Sequence, residues 1–254
     1  MILDKFKLDG KVAIVTGAGR GLGQGIAVGL AEAGADVALV VSATTNDETA
    51  KKIQALGRRV CRIKADLLQK DAVTRIVETT VKELGGIDIL VNNAGIIRRA
   101  PLLEFTEQDW DDVIQVNQKS VFFLGQAVAK QMVKQGRGGK IVNIASMLSF
   151  QGGIRVPSYT ASKSAVMGLT RIMANELAAY NINVNGIAPG YMETDNTAAL
   201  RADAKRNAEI LARIPAGRWG SLEDLKGAVV FLASAASDYM QGFTLAVDGG
   251  WLAR

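Results

Sequence analysis

The chain contains no histidine among its 254 residues, and Cys61 is its single cysteine. The missing histidine excludes Ser-His catalysis, histidine metal sites and dehydrogenase chemistry that depends on an imidazole base. One cysteine excludes an intramolecular disulfide framework and indicates a reducing compartment. No apolar run approaches the roughly 20 residues that cross a bilayer, and the first residues lack the apolar core of a signal peptide. We therefore expect a cytoplasmic protein with no metal site and no membrane partner.

Strong charge of either sign is also lacking. The 30 Lys and Arg exceed the 25 Asp and Glu by a net charge of only +5, and the basic residues are scattered. A mild positive excess suits an anionic small molecule better than a nucleic acid. The 48% hydrophobic content and the 27 glycines suit a sheet that is buried on both faces. At this length we expect residues 1–254 to form one domain.

Short apolar runs alternate with segments of helical spacing along the chain. This alternation predicts an α/β Rossmann fold, a doubly wound parallel sheet of about seven strands with helices on both faces. The segment 189–201 is the least regular and is a candidate mobile lid. The predicted strands are 11–16, 37–41, 60–64, 87–91, 140–144, 182–187 and 244–247, and the predicted helices are 24–33, 47–56, 72–84, 110–135, 159–180 and 223–234.

A glycine-rich turn joins the first predicted strand to the first helix. Gly17, Gly21 and Gly23 let the backbone turn sharply and approach a pyrophosphate, which the uncapped helix N-terminus then binds. A glycine triplet alone also fits an ordinary connection, but the strand–glycine–helix order favours a dinucleotide site.

Tyr159 and Lys163 are four residues apart at the start of a predicted helix, so their side chains lie on one face. An ammonium beside a phenol favours the phenolate, and we expect it to lower the pKa of Tyr159 toward neutral pH. Such a tyrosine serves as a general acid and base at a carbonyl or hydroxyl. By itself this pair also fits an ordinary helix surface.

Taken together, these motifs resemble the short-chain dehydrogenase/reductase family. The glycine turn begins at Thr16, Asn92-Asn93-Ala94-Gly95 follows the fourth strand, Ser146 follows the fifth, and Pro189-Gly190 follows the sixth. The resemblance spans essentially the whole chain. It implies that Tyr159 is the catalytic acid/base, that Lys163 lowers its pKa and holds the nicotinamide ribose, that Ser146 bonds the reacting oxygen, and that Asn117 holds a water linked to Lys163.

The resemblance also implies a set of dinucleotide contacts. The second strand ends at Val41 and Ser42 with no carboxylate for the adenosine ribose, and Arg20 suits a 2′-phosphate; both features favour NADP. A closer resemblance favours NAD, which we expect, with NADP as the alternative. The implied cofactor-binding residues are Gly17, Gly19, Arg20, Gly21, Leu22, Gly23, Ser42, Asp66, Leu67, Asn93, Ala94, Gly95, Tyr159, Lys163, Pro189, Gly190, Met192 and Thr194.

That closer resemblance lies outside the catalytic motifs. Segments 93–99, 145–157, 214–220 and 246–254 are similar to the 2-dehydro-3-deoxy-D-gluconate 5-dehydrogenases, which act on uronate-derived sugar acids. A sugar-acid substrate needs a cation for its carboxylate. The expected substrate contacts are Ser146, Arg98, Arg99 and Arg155.

Three other functions stay open from the sequence. Gluconate 5-dehydrogenase shares the arginine pair at Arg98 and Arg99. A 3-oxoacyl-carrier-protein reductase needs a basic surface, which the scattered charge supports poorly. A non-catalytic dinucleotide-binding protein would not need the set Asn117, Ser146, Tyr159 and Lys163. The resemblance further implies a homotetramer.

Overall fold

The computed structural model describes residues 1–42 and 47–254, and it contains a parallel sheet of seven strands. The strand order is β3-β2-β1-β4-β5-β6-β7, with every neighbouring pair parallel. The predicted α/β Rossmann fold is therefore confirmed. The strands are β1 (Val12–Thr16), β2 (Asp36–Val41), β3 (Val60–Lys64), β4 (Ile89–Asn92), β5 (Gly139–Ile144), β6 (Ile182–Pro189) and β7 (Thr244–Val247).

Helices cover both faces of the sheet. Ile26 of α1 and Val229 of α9 belong to the apolar core on one face, and Ile76 of α3, Leu124 of α5 and Met173 of α6 belong to the core on the other. Burial on both sides explains why the central strands are continuous apolar runs. The helices are α1 (Gly21–Glu32), α2 (Glu48–Ala55), α3 (Ala72–Leu84), α4 (Glu107–Ile114), α5 (Ser120–Gln135), α6 (Pro157–Leu177), α7 (Ala198–Ala202), α8 (Ala204–Arg213) and α9 (Glu223–Ala233).

The strand order reverses direction at β1, which pairs with β2 on one side and β4 on the other. In such a sheet, ligands bind beyond the carboxyl ends of the strands next to this reversal. The glycine turn leaves β1 at that edge, and Asn93, Ser146 and Pro189 lie there at or just after the ends of β4, β5 and β6. The fold therefore brings the predicted motifs to one side of the sheet.

The predicted helix 110–135 is divided in the structure. A π-helical turn, Gln115–Lys119, separates α4 from α5, and Asn117 lies inside it. Single π-turns occur frequently at functional sites because they redirect a side chain without ending the helix. The stretch 110–135 is helical throughout, as predicted, and the π-turn falls at the Asn in its middle, a residue type that is unfavourable inside a helix.

The candidate lid is more ordered than the sequence suggested. Segment 189–201 contains a 3₁₀ turn, Asp195–Thr197, and most of α7, and it leads into α8, which we did not predict. An Asp at position 203 is a residue type that favours a helix N-terminus and could have predicted α8. In the structure its side chain accepts a bond from the Arg206 backbone N–H at 3.0 Å, and Ile210 of the helix is buried.

Within residues 1–42 and 47–254, no helix has the length and apolarity needed to cross a membrane.

Candidate active site

The glycine turn is packed too closely for side chains. A Cβ placed on Gly23 would lie 2.1 Å from the carbonyl oxygen of Gly17, and one on Gly17, whose φ is +67°, would lie 3.0 Å from the Cα of Ala94. No side chain caps the N-terminus of α1, so its first N–H groups are available to an anion. This backbone cradle fits the pyrophosphate of a dinucleotide.

Asn93 fixes the shape of that cradle. Its side-chain amide donates to the carbonyl of Thr16 at 2.9 Å, while its backbone N–H and that of Ala94 each donate to the Thr16 hydroxyl at 3.0 Å. The end of β4 is thus tied to the end of β1. Because the bonds involve backbone on both sides, they stabilise the turn and the 93–95 segment together.

The remaining predicted dinucleotide contacts on this side lie in the glycine turn, in α1 and at or after the end of β6. Gly19 accepts a bond from Thr49 of α2, and Thr194 approaches Gly21 from the lid, with 3.9 Å between its Cγ2 and a Cβ placed on that glycine. Leu22 is partly buried in α1, Pro189 ends β6, Gly190 packs against the backbone of Asp248, and Met192 is buried.

The adenosine end of the predicted site is less complete. Ser42 is exposed after β2, the preceding Val41 is buried, and residues 43–46 lie outside the described structure. Asp66 accepts a bond from the backbone N–H of Leu68 at 3.0 Å, and Leu67 is buried beside it. No acid stands at the end of β2, so the described residues offer no carboxylate there for the ribose hydroxyls.

Arg20 of the glycine turn forms an ion pair with a residue of the candidate lid. Its guanidinium lies 3.2 Å from the carboxylate of Asp195, which belongs to the lid segment, and both side chains are largely exposed. This ion pair joins the glycine turn to the lid across the predicted dinucleotide site. The sequence gave no indication of the pairing, since 175 residues separate the partners.

Tyr159 and Ser146 meet at the centre of the site. Ser146 lies close enough to the Tyr159 phenol to affect its pKa, and its hydroxyl accepts a bond from the backbone N–H of Leu148 at 3.2 Å. Burial raises the pKa of Tyr159 above its usual value, while Ser146 and the nearby charge of Arg99 oppose the rise. We expected Lys163 to lower the pKa of Tyr159. Burial has the larger effect and raises that pKa, so the expectation is wrong, and Tyr159 carries its proton at neutral pH.

Lys163 is buried one helical turn after Tyr159. Its Nζ lies 5.7 Å from the centre of the tyrosine ring and donates to the carbonyl of Ile144 at 2.6 Å. Burial lowers the pKa of Lys163 to about 8. A Cβ placed on Gly95 would lie 3.8 Å from this ammonium, so the glycine leaves space beside Lys163 for a ribose hydroxyl.

Asn117 holds the neighbouring loop rather than pointing freely into the site. Its amide donates to the carbonyl of Ile96 at 2.9 Å and to the Ser162 hydroxyl at 3.3 Å, and its oxygen accepts from the Ile96 backbone N–H at 2.8 Å. Both amide hydrogens are used in these bonds. The side chain therefore links the π-turn to α6 and to the segment after Gly95, and its role toward a water stays a prediction.

The three arginines expected at the substrate differ sharply in their surroundings. Arg98 is bound to two carboxylates of α4, at 3.2 Å from Asp109 and 3.5 Å from Asp112. Arg99 is exposed and close enough to Tyr159 to oppose the rise in its pKa. Within residues 1–42 and 47–254, no carboxylate is paired with Arg99.

Arg155 lies on the loop between β5 and α6. Its backbone has a φ of +63°, in the left-handed region that is uncommon for residues other than glycine. Its carbonyl accepts a bond from the backbone N–H of Ala100 at 3.2 Å, so the two arginine-bearing loops are in contact. The Arg155 side chain is exposed and has no carboxylate partner in the described part of the chain.

A proton donor, a second hydroxyl and a buried cation thus converge beside a dinucleotide cradle. The family model for short chain dehydrogenases matches residues 11–205. The chain belongs to this family. It is accordingly an NAD(P)-dependent oxidoreductase that acts on CH–OH groups.

Individual relatives cover the chain from end to end. A 2-dehydro-3-deoxy-D-gluconate 5-dehydrogenase of Escherichia coli (strain K12) is 63% identical over 254 residues, which is 100% of both chains. The crystal structure of an Agrobacterium tumefaciens protein with bound NADP has 57% identity and a TM-score of 0.92, and the match covers 99% of this chain and 100% of that one. A gluconate 5-dehydrogenase from Burkholderia cenocepacia J2315, in complex with NADP and tartrate, has 43% identity and a TM-score of 0.94 over 100% of both chains.

Proposed function

We propose that this chain transfers a hydride between a nicotinamide dinucleotide and a keto or hydroxy group of a sugar acid, as a 2-dehydro-3-deoxy-D-gluconate 5-dehydrogenase in the breakdown of pectin and uronates. The observation that carries the proposal is the position of Arg99, an arginine without a carboxylate partner in the described residues, beside Tyr159. A guanidinium there suits a substrate that carries a carboxylate near its reacting carbonyl. The relative that is 63% identical over its whole length bears the same activity in its name.

The residues perform the proton chemistry in a simple order. During reduction, negative charge grows on the carbonyl oxygen, and the Ser146 hydroxyl and the Tyr159 phenol both donate to that oxygen. Tyr159 then releases its proton, and the buried Lys163 ammonium stabilises the phenolate that remains. Oxidation uses the same groups in reverse. The bound dinucleotide supplies or accepts the hydride; Lys163 and the glycine cradle would hold it.

Among the three arginines, we assign the substrate carboxylate to Arg99 first and to Arg155 second. Arg98 is already neutralised by Asp109 and Asp112, so a substrate would have to displace a bound carboxylate to reach it. Arg99 and Arg155 are exposed and lie on loops that contact each other. The original expectation named all three, and the ion pairs of Arg98 now favour a structural role for it.

We propose that both dinucleotides are accepted. The absence of an acid at Val41 removes the group that would repel a 2′-phosphate, and three of the related structures contain NADP. Arg20 is available to a phosphate only if its exposed ion pair with Asp195 opens, and pairs of this kind contribute about 0–1 kcal/mol. NAD remains the cofactor expected from the sequence.

The decisive experiment is a substrate panel followed through the absorbance of the reduced nicotinamide. Purified protein is mixed with NADH or NADPH and with 2,5-diketo-3-deoxygluconate, 5-ketogluconate or a 3-oxoacyl thioester. Preference for the first compound supports the proposal, and preference for the second makes the chain a gluconate 5-dehydrogenase. Absence of turnover with every sugar acid would refute the sugar-acid assignment.

Arginine variants test the carboxylate contact itself. A charge-assisted bond contributes roughly 1.5–3 kcal/mol, so Arg99→Ala should raise the KM of the sugar acid by about ten- to a hundredfold. The KM of the dinucleotide and turnover of the matching neutral amide should stay nearly unchanged. Arg98→Ala is the matched control, because it removes the neighbouring guanidinium that is already paired. If both variants bind the sugar acid normally, and Arg155→Ala does too, the carboxylate is held elsewhere.

We further propose that residues 1–254 form one catalytic domain that works in the cytoplasm as a homotetramer. Large apolar side chains are exposed on neighbouring helices, including Trp110 of α4, Phe123 of α5 and Ile172 of α6. Exposed apolar side chains on helices that pack together are typical of a contact between subunits. Light scattering coupled to size exclusion measures the assembly, and a monomeric mass at micromolar concentration would contradict it.

A further inference from the structure

Ser149 is buried between the two elements that carry the catalytic groups. It belongs to the 3₁₀ turn Met147–Ser149, which directly follows Ser146, and its side chain faces α6. The backbone N–H of Ser146 donates to its hydroxyl oxygen at 3.3 Å, and the same hydroxyl donates to the carbonyl of Lys163 at 2.6 Å. One hydroxyl group therefore bonds the backbones of two catalytic residues.

This bridge fixes a distance that the chemistry depends on. Ser146 follows β5 and Lys163 lies in α6, so the separation of the Ser146 and Tyr159 hydroxyls depends on how the loop docks against the helix. Positioning errors of about 1 Å in a reacting group reduce rates by as much as about a hundredfold. The Ser149 backbone N–H also donates to the Ser146 carbonyl at 2.9 Å, which makes the turn itself rigid.

We propose that Ser149 is a positioning residue that sets the distance between Ser146 and the Tyr159–Lys163 face of α6. The proposal rests on the proposed function, because Ser146 and Tyr159 must act on one oxygen for their spacing to affect turnover. Ser149 is buried, and its hydroxyl bonds the backbone groups of other residues. It acts through the backbone of Ser146 and through the carbonyl of Lys163.

A matched control is present in the same place. The hydroxyl of Ser164 donates to the carbonyl of Leu148 at 3.4 Å, so it also joins the 3₁₀ turn to α6. Ser164 is exposed, however, and it bonds the backbone of no catalytic residue. Comparing Ser149→Ala with Ser164→Ala therefore separates general attachment of the turn from alignment of the catalytic groups.

The test uses steady-state kinetics with the best substrate found for the wild-type protein. Ser149→Ala should lower kcat by about ten- to a hundredfold with little change in the KM of the dinucleotide, whereas Ser164→Ala should remain close to wild type. Ser149→Thr retains the hydroxyl and should recover a large part of the lost kcat. If Ser149→Ala does not fold, the Thr and Cys variants decide the question, since only Thr keeps a strong donor and acceptor.

Amide hydrogen exchange provides a readout that does not require turnover. The Ser146 amide should exchange faster in Ser149→Ala than in wild type, and the amide of a buried β5 residue such as Val142 should not change. Wild-type kcat in Ser149→Ala, or an unchanged exchange rate at Ser146, would overturn the proposal. An inactive wild-type protein would instead remove the proposed function, while the exchange result would still show whether Ser149 holds Ser146.

Discussion

Replacement of Lys163 by methionine should make the protein more stable near neutral pH while it abolishes efficient turnover. Burial lowers the pKa of Lys163 from 10.5 in the unfolded chain to about 8 in the folded one. A lowered lysine pKa means that the folded state holds the proton less tightly than the unfolded state does. The charged side chain therefore opposes folding below about pH 8, and the opposition fades as the pH rises toward 10.5.

The size of the effect follows from the shift. Each pKa unit corresponds to about 1.4 kcal/mol, so the free energy of unfolding of wild type should rise relative to Lys163→Met by about 2–3 kcal/mol between about pH 8 and pH 10. Lys163 is almost fully buried, which makes solvent screening a small correction. Methionine has a similar length and also removes the bond to the Ile144 carbonyl, a loss that does not vary with pH.

The measurement is urea unfolding of both proteins, without dinucleotide, at several pH values from about 7 to about 10. Above that range the raised pKa of Tyr159 acts in the opposite direction, because an unfolded tyrosine ionises first and stability falls. Comparing the two proteins at each pH cancels the titrating groups that do not interact with Lys163, and staying below about pH 10 limits the contribution of the neighbouring Tyr159. Lys130→Met, at an exposed position on α5, controls for the loss of one lysine.

A constant difference between wild type and Lys163→Met across this range would refute the reasoning. It would show that the ammonium is solvated in the folded protein, despite its buried position. A fall in the stability of wild type relative to the variant with rising pH would refute it too, since it would require a raised pKa.

Three further predictions concern other residues of the site. Tyr159→Phe should fold and bind dinucleotide normally while kcat falls at least about a hundredfold, and near wild-type turnover would refute its role as acid and base. Val41→Asp should lower the NADP/NAD ratio of kcat/KM by at least about tenfold, which corresponds to about 1.4 kcal/mol. An unchanged ratio would show that the adenosine ribose does not bind beside Val41. Arg155→Gly should resist urea better than Arg155→Ala by about 1 kcal/mol, because only glycine adopts a φ of +63° without strain; equal unfolding midpoints would show that the loop is not held in that conformation.

Much of the architecture was visible in the sequence because buried parallel strands are short apolar runs with clear ends. The predicted strand 60–64 matches β3, and the predicted helix 72–84 matches α3, which ends at Gly85 with a φ of +91°. Long-range polar pairing was not visible. The acids that neutralise Arg98 are 11 and 14 residues away on a different element, so the sequence could not separate Arg98 from Arg99.

Three features that local sequence patterns did not predict lie at the candidate site. A buried ammonium at Lys163, a left-handed backbone at Arg155 and a π-turn at Asn117 each depart from what local preferences favour. Each departure is held by specific bonds: to the Ile144 carbonyl, to the Ala100 N–H and to the backbone of Ile96. All three lie on elements that reach the carboxyl edge of the sheet near Tyr159. Since such departures persist only where surrounding structure enforces them, their concentration here is an argument, independent of any motif, that this edge is where the protein acts.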